Sequence, residues 1–165
     1  MSIPLFSGAA SSSDIKAAKQ AYYQGSYRVA LRKFESLAGY GHPEAQIYLG
    51  HIYRKGEGVD VDNDKAFKWY ELAAEQGNAE AQYFLGAMYE VGKGVEVNHV
   101  MAVMWMTVAE IGGYPAQPAL NVKKTQMSSQ LYGIGQLAAV SCQKRNFKNC
   151  DGIGWIGLLI GVGVL

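Results

Sequence analysis

The pattern with the most obvious chemical potential is Asp60, Asp62 and Asp64, three carboxylates at alternate positions with Glu71 at the twelfth place of the same window. A calcium loop spaces its oxygen ligands in this way. It also needs glycine at the sixth place for its sharp turn, and here that residue is Lys65; Ala66–Ala74 reads as helix where the loop should still be running. Capping of a helix start accounts for the same aspartates, because carboxylates suit the free amides and positive dipole end found there. His42, His51 and His99 share no paired spacing, so neither zinc nor a general base is expected from them. No glycine-rich phosphate loop, nucleophile elbow or Cys–His pair occurs. The expectation is no catalytic residue, no metal, no cofactor and no small-molecule substrate.

Cys142 and Cys150 are the remaining reactive pair. They flank Lys144-Arg145-Asn146, where the last helix should fray, so the chain could turn back and bridge them. Two buried or free thiols in a cytosolic protein are the alternative. The eight-residue spacing is unlike the two-residue gap of thiol oxidoreductases.

The elements that position these residues follow from a repeat. Shifting the sequence by 36 residues lays Glu44–Ala79 on Glu80–Pro115. Glu44, Ala45 and Gln46 fall on Glu80, Ala81 and Gln82; Leu49-Gly50 falls on Leu85-Gly86, and Tyr53 on Tyr89. Gly56, Gly58, Ala66, Trp69, Ala73 and Gly77 fall on Gly92, Gly94, Ala102, Trp105, Ala109 and Gly113. Self-similarity at this period marks a stacked array. Ala45, Leu49, Ile52 and Tyr53 form one helical stripe, and Ala66, Trp69, Tyr70 and Ala73 a second. Lys55-Gly56-Glu57-Gly58 reverses the chain between them, and Asp62, Asn63 or Asp64 caps the next helix. Gly50 and Gly86 lie inside helices at a cost of about 1 kcal/mol each relative to alanine, which points to close helix crossings. A degenerate unit precedes the pair, with a first helix from about Asp14, as its cap, to Gln24. Pro115 and Pro118 should break the chain, and a last helix should run from Ser128 or Ser129 to about Arg145. Trp69 and Trp105 are expected in the core, with Tyr48, Tyr53, Tyr70 and Tyr89. Met101, Met104 and Met106 should fill the gap between the second hairpin and the last helix.

The segments EAQIYLGHIYRKGEGV with DKAFKWYELAAEQGNAEAQ, and EAQYFLGAMYEVGKGV with AVMWMTVAEIGG, resemble the Sel-like repeat family, longer-looped relatives of tetratricopeptide repeats. The resemblance covers about Asp14 to Cys150. It implies an all-α fold, a right-handed α/α solenoid of about three helix-turn-helix units with a C-terminal capping helix, and adaptor or scaffold roles without a family-wide active site. SCQKRNFKNC also resembles the closing segment of exported bacterial members, which favours the Cys142–Cys150 disulfide and a periplasmic or otherwise exported location over the cytoplasm. The second unit departs from the pattern at Val100 and Met101, which stand where Asp64 and Lys65 stand in the first, so that face should be covered by something. The expected organisation is a leader over 1–13, a solenoid over 14–150 (a degenerate unit 14–43, repeats 44–79 and 80–115, a cap 116–150) and an apolar tail over 151–165.

Function then rests on surfaces. Tyr23, Ile47, His51, Arg54, Tyr83, Ala87 and Glu90 are expected to line one concave face that binds other proteins, because most of these positions differ between otherwise matching repeats. His51, whose counterpart is Ala87, should be dispensable for packing. With 15 basic and 14 acidic side chains the net charge is +1, so nucleic acid is not an expected partner. The opening residues lack the positive start and long apolar stretch of a secretory signal. The tail, IGWIGLLIGVGVL, has three readings. These are a membrane or partner contact through Trp155, Gly157, Leu158, Leu159 and Gly161; a segment packed on its own solenoid or an oligomer mate; and an unnatural extension. As a helix its 13 residues span about 20 Å against about 30 Å of hydrocarbon. An accessory subunit held to a membrane protein complex mainly by this tail is the alternative function.

Overall fold

The computed structural model describes residues 12–148 and Cys150. Trp155, Gly157, Leu158, Leu159 and Gly161, and the tail readings built on them, lie outside the described residues. Eight helices and no strand are found among the described residues: α1 (Ser12–Tyr23), α2 (Tyr27–Gly39), α3 (Pro43–Lys55), α4 (Asn63–Ala74), α5 (Ala79–Val91), α6 (His99–Ile111), α7 (Gln117–Gln126) and α8 (Ser129–Lys144). From α1 to α6 each helix packs on the next, and α8 returns to lie along α6. This is the all-α solenoid the repeat implies.

Local chemistry sets the 36-residue register. The Asp62 side chain accepts from the Lys65 amide and Asn98 from the Met101 amide, so α4 and α6 start under the same cap. The aspartate trio is thus a helix start. Gly56 and Gly92 end α3 and α5 in the left-handed region, where only glycine is free of a Cβ penalty. The second glycine of each turn has another task. A Cβ at Gly94 would stand 2.3 Å from the Asn63 carbonyl oxygen, and one at Gly58 would stand 2.8 Å from Tyr27 Cβ. Tyr27 and Asn63 are themselves 36 residues apart, so each turn seats on the start of the preceding unit's second helix. Asn98→Ala should remove one cap and lower the free energy of unfolding by about 1 kcal/mol, with Asn98→Asp close to wild type in denaturant melts.

Helix crossings at Gly50 and Gly86 are as close as their sequence cost suggests. A Cβ at Gly50 would penetrate the Tyr70 ring at 2.5 Å, and one at Gly86 would meet the Ala102 carbonyl oxygen at 3.0 Å. Three apolar clusters follow along the stack. The first joins Ile15, Ala18, Ala30 and Phe34 to Leu49 and Ile52. The central one runs from Ile47 and Tyr70 through Leu85 and Trp105 to Ala138 and Cys142. The third seats α7 and α8 on Val103 and Met106 through Leu120 and Tyr132. Met101, Met104 and Met106 are all buried, and α8 supplies the cover that Val100 and Met101 call for: a Cβ at Gly135 would be 2.7 Å from the Val103 side chain.

Four expectations need correction. Helix α1 begins at Ser12, so Asp14 lies in its first turn instead of capping it. The segment after Pro115 is not a simple break but α7, with Pro118 in the first turn, where a missing amide hydrogen costs nothing. Glu110 Oε2 accepts from the Ala116 and Gln117 amides at 2.6 Å each and serves as its cap. Trp69 is only partly buried, whereas Trp105 is 1% exposed. Tyr48 and Tyr53 likewise sit at the core's edge, unlike buried Tyr70 and Tyr89.

Candidate functional site

The first helices of successive units open onto one cleft. Lys19, Tyr22 and Tyr23 from α1, Glu44, Ile47, Tyr48 and His51 from α3, and Glu80 from α5 enclose about 300 Å³. Around it the rings form a continuous ribbon. Tyr27 meets Tyr22 with centroids 5.5 Å apart, Tyr22 meets Tyr48 at 5.1 Å, and Tyr48 meets His51 at 6.3 Å. His51 meets Phe84 at 4.8 Å, Phe84 meets Tyr83 at 5.6 Å, and Tyr83 meets Tyr114 at 4.8 Å. Most of these pairs are edge-to-face, the arrangement favoured by ring quadrupoles.

Polar groups thread this ribbon. Lys19 Nζ lies 2.6 Å from Glu44 Oε1, and the Tyr22 hydroxyl donates to Glu57 at 2.6 Å. The Tyr23 and Tyr48 hydroxyls are 2.6 Å apart. Deeper in, Arg54 Nε donates to the Tyr70 hydroxyl at 3.3 Å, and that hydroxyl is 2.7 Å from His51 Nδ1. His51 Nε2 is in turn 3.3 Å from Glu80 Oε1. With the ring proton on Nε2, every donor in this relay faces an acceptor. Burial pushes the Tyr70 phenol above its ordinary value, and the Tyr22 and Tyr48 phenols are raised by the same cause. They therefore keep their protons near neutrality. The hydrogen bond from His51 holds Glu80 below the usual glutamate value. Protonated phenols beside the Glu80 carboxylate suit hydrogen bonding and ring contact with a partner. Among the described residues no group of three or more His, Cys, Asp or Glu gathers as a metal site.

The structure separates the expected site residues. Tyr23 is 72% exposed at the cleft edge. Arg54 lies over the Phe84 ring, 5.3 Å from its centroid, and Tyr83 is half-buried on the ribbon. Ile47 touches the cleft but is 3% exposed and belongs to the central core, so it has little surface to give a partner. His51 is not dispensable for packing: it joins α3 to Tyr70 in α4 and to Glu80 in α5. Ala87 packs in the third cluster. Glu90 faces the other end of the stack, where its carboxylate bonds Lys123 and accepts from His99 Nδ1 at 3.1 Å. Burial works against its charge, but the hydrogen bonds from Lys123 and His99 hold Glu90 below its ordinary value. It clamps α7 to the repeats and is not part of the cleft.

Several residues of the face escaped the sequence reading. Glu44 and Glu80, and Tyr48 and Phe84, are repeat-matched, and matching positions were assigned to packing. Their signal was periodic all the same: an acid and an aromatic four residues later recur once per unit along one face. A larger, shallower recess of about 800 Å³ lies at the loop edge between Arg28, Tyr53 and Asp60–Asp62. Its Asp62 is committed to the α4 cap and to Lys65 Nζ at 3.2 Å. Cys142 and Cys150 form a disulfide with Cα atoms 5.3 Å apart. No helix among the described residues is long and apolar enough to cross a membrane.

Comparison with known proteins agrees with this architecture. The Sel1 repeat matches residues 43–78 and 79–111. A Sel1 repeat protein from Oxalobacter formigenes superposes with a TM-score of 0.65 at 31% identity, over 70% of this chain and 47% of that one. A protective antigen present in uropathogenic Escherichia coli strains, displaying an SLR fold, superposes with a TM-score of 0.71 at 22% identity, over 85% of this chain and 32% of that one. This chain thus spans about half the length of the first and a third of the second. The curated proteins contain no match.

Proposed function

The chain belongs to the Sel1-repeat proteins, and from that premise we propose that it is a protein-binding adaptor or scaffold whose docking surface is the face of α1, α3 and α5. The observation that carries this reading is the aromatic ribbon. Aromatic side chains give large contact area at small entropic cost and are enriched in the centres of protein interfaces. Here Tyr22, Tyr23, Tyr48, Tyr83 and Phe84 stay partly or largely exposed along three successive helices. The helices are held rigid by the cores beneath, so little is lost in ordering the surface on binding. The Cys142–Cys150 bond supports work in an oxidising, exported compartment.

A photoreactive amino acid at position 23 tests the docking face. It should crosslink a discrete protein in the organism that makes this chain, and the same group at exposed Lys68 on α4 should not. Equal labelling from both positions, or none from position 23, would remove the α1–α3–α5 face as the docking surface.

A further inference from the structure

We propose that the cleft between α1, α3 and α5 is a receptor for a basic side chain, an arginine on an exposed segment of a partner protein, with Glu80 as counter-ion and Tyr23 and Tyr48 as the aromatic wall. This rests on the reading of that face as a docking surface and adds the chemistry it selects. The fixed charges are unequal. The lining holds one ammonium, Lys19, and two carboxylates, Glu44 and Glu80. Lys19 is engaged at 2.6 Å with Glu44. Glu80, its side chain 46% exposed, has a hydrogen bond from His51 at 3.3 Å; among the described residues no ammonium or guanidinium lies within ion-pair distance of it, and Lys19 acts on it only from farther off. Among the described lining residues, two carboxylates against one ammonium leave one negative charge in excess.

The walls point the same way. Ring faces carry negative quadrupole potential and attract cations, so the cleft offers both π faces and hydroxyl oxygens. The chain's own cations already use this surface. Lys19 Nζ lies 5.8 Å from the Tyr48 centroid, and Arg54 covers Phe84 in the next unit. An incoming guanidinium suits the site better than an ammonium, because its plane can stack on a tyrosine while its fork of N–H groups reaches Glu80. An acidic or apolar side chain would leave Glu80 desolvated and uncompensated.

N-acetyl-arginine methylamide is the probe, titrated into the full chain and followed by NMR of the tyrosine and histidine rings. The result expected is saturable shifts confined to Tyr23, Tyr48 and His51. Binding of the citrulline counterpart, uncharged but nearly the same shape, should be weaker by at least about fivefold. Glu80→Gln keeps an acceptor for His51 and should weaken the arginine probe similarly; Tyr23→Ala, at an exposed position, gives a second loss without risk to the fold. Equal binding of citrulline, shifts centred elsewhere, no saturable shift, or full binding by Glu80→Gln would each overturn the proposal. Crosslinking from position 23 separates the two readings. A captured protein with no arginine binding leaves the docking face and rejects the receptor, and failure of both rejects both.

Discussion

Replacing Trp105 with alanine should lower the free energy of unfolding by about 3–5 kcal/mol, and replacing Trp69 should cost clearly less, about 1–3 kcal/mol. The two tryptophans are repeat partners 36 residues apart, so composition and periodicity treat them alike. Their surroundings do not. Trp105 is 1% exposed and shares its cluster with Met101, Met104, Ala138 and Cys142. α6 is apolar nearly all round because it is gripped by α5 on one side and α8 on the other. Deleting an indole there leaves a cavity that packed helices cannot close. Trp69 lies on the edge of the first cluster with part of its ring in solvent, and truncation removes less buried surface. Denaturant melts of the two variants decide the matter. Equal losses at both positions would mean that α8 does not cover α6 as described, and a Trp105→Ala domain melting with the wild type would refute the stacked core.

The contrast between these twins marks what a repeat sequence discloses. Helix boundaries, the turns at Gly56 and Gly92 and the close crossings at Gly50 and Gly86 were legible because each is a local requirement repeated in register. What a unit packs against depends on its place in the stack, and periodicity is silent on that. Val100 and Met101 were the visible exception: two apolar residues at charged positions announced a cover without naming it. α7 was hidden for another reason. It buries only Leu120 and Lys123, too few to make a stripe, and its prolines read as breakers when Pro118 in fact sits where a helix tolerates one. The candidate face was half legible. Variation between copies singled out Arg54 and Tyr83, with Tyr23 set beside them, but it also drew in Ile47, which the core needs, and Glu90, which the C-terminal clamp needs. Difference between two copies reports a change of neighbours as readily as a contact surface.

Reduction of the Cys142–Cys150 bond should release the C-terminal cap while α3 to α6 stay folded. The bond closes a loop of eight residues' separation, and restricting the unfolded chain over so short a span contributes about 2–3 kcal/mol in the loop-entropy account. It does so just after α8, the last helix among the described residues. α8 stops at Lys144, and the chain then turns through Asn146 and Phe147 at φ 51° and 63°. Left-handed backbone is tolerated by asparagine but costs phenylalanine on the order of 1–2 kcal/mol, so this turn depends on what holds it. Two things do: the bond to buried Cys142, and the Phe147 ring, which lies 3.1 Å from where a Cβ at Gly77 would be, against the α4–α5 turn. Without the bond, the turn should relax and Phe147 should leave that turn. Hydrogen exchange should then show lost protection from about Leu137 to Phe147, with α3 to α6 protected as before. Thiol titration of the denatured, unreduced protein should find no free thiol. Two free thiols would deny the bond and with it the oxidising compartment. Protection lost evenly along the stack would show instead that the bond supports the whole solenoid and not its end.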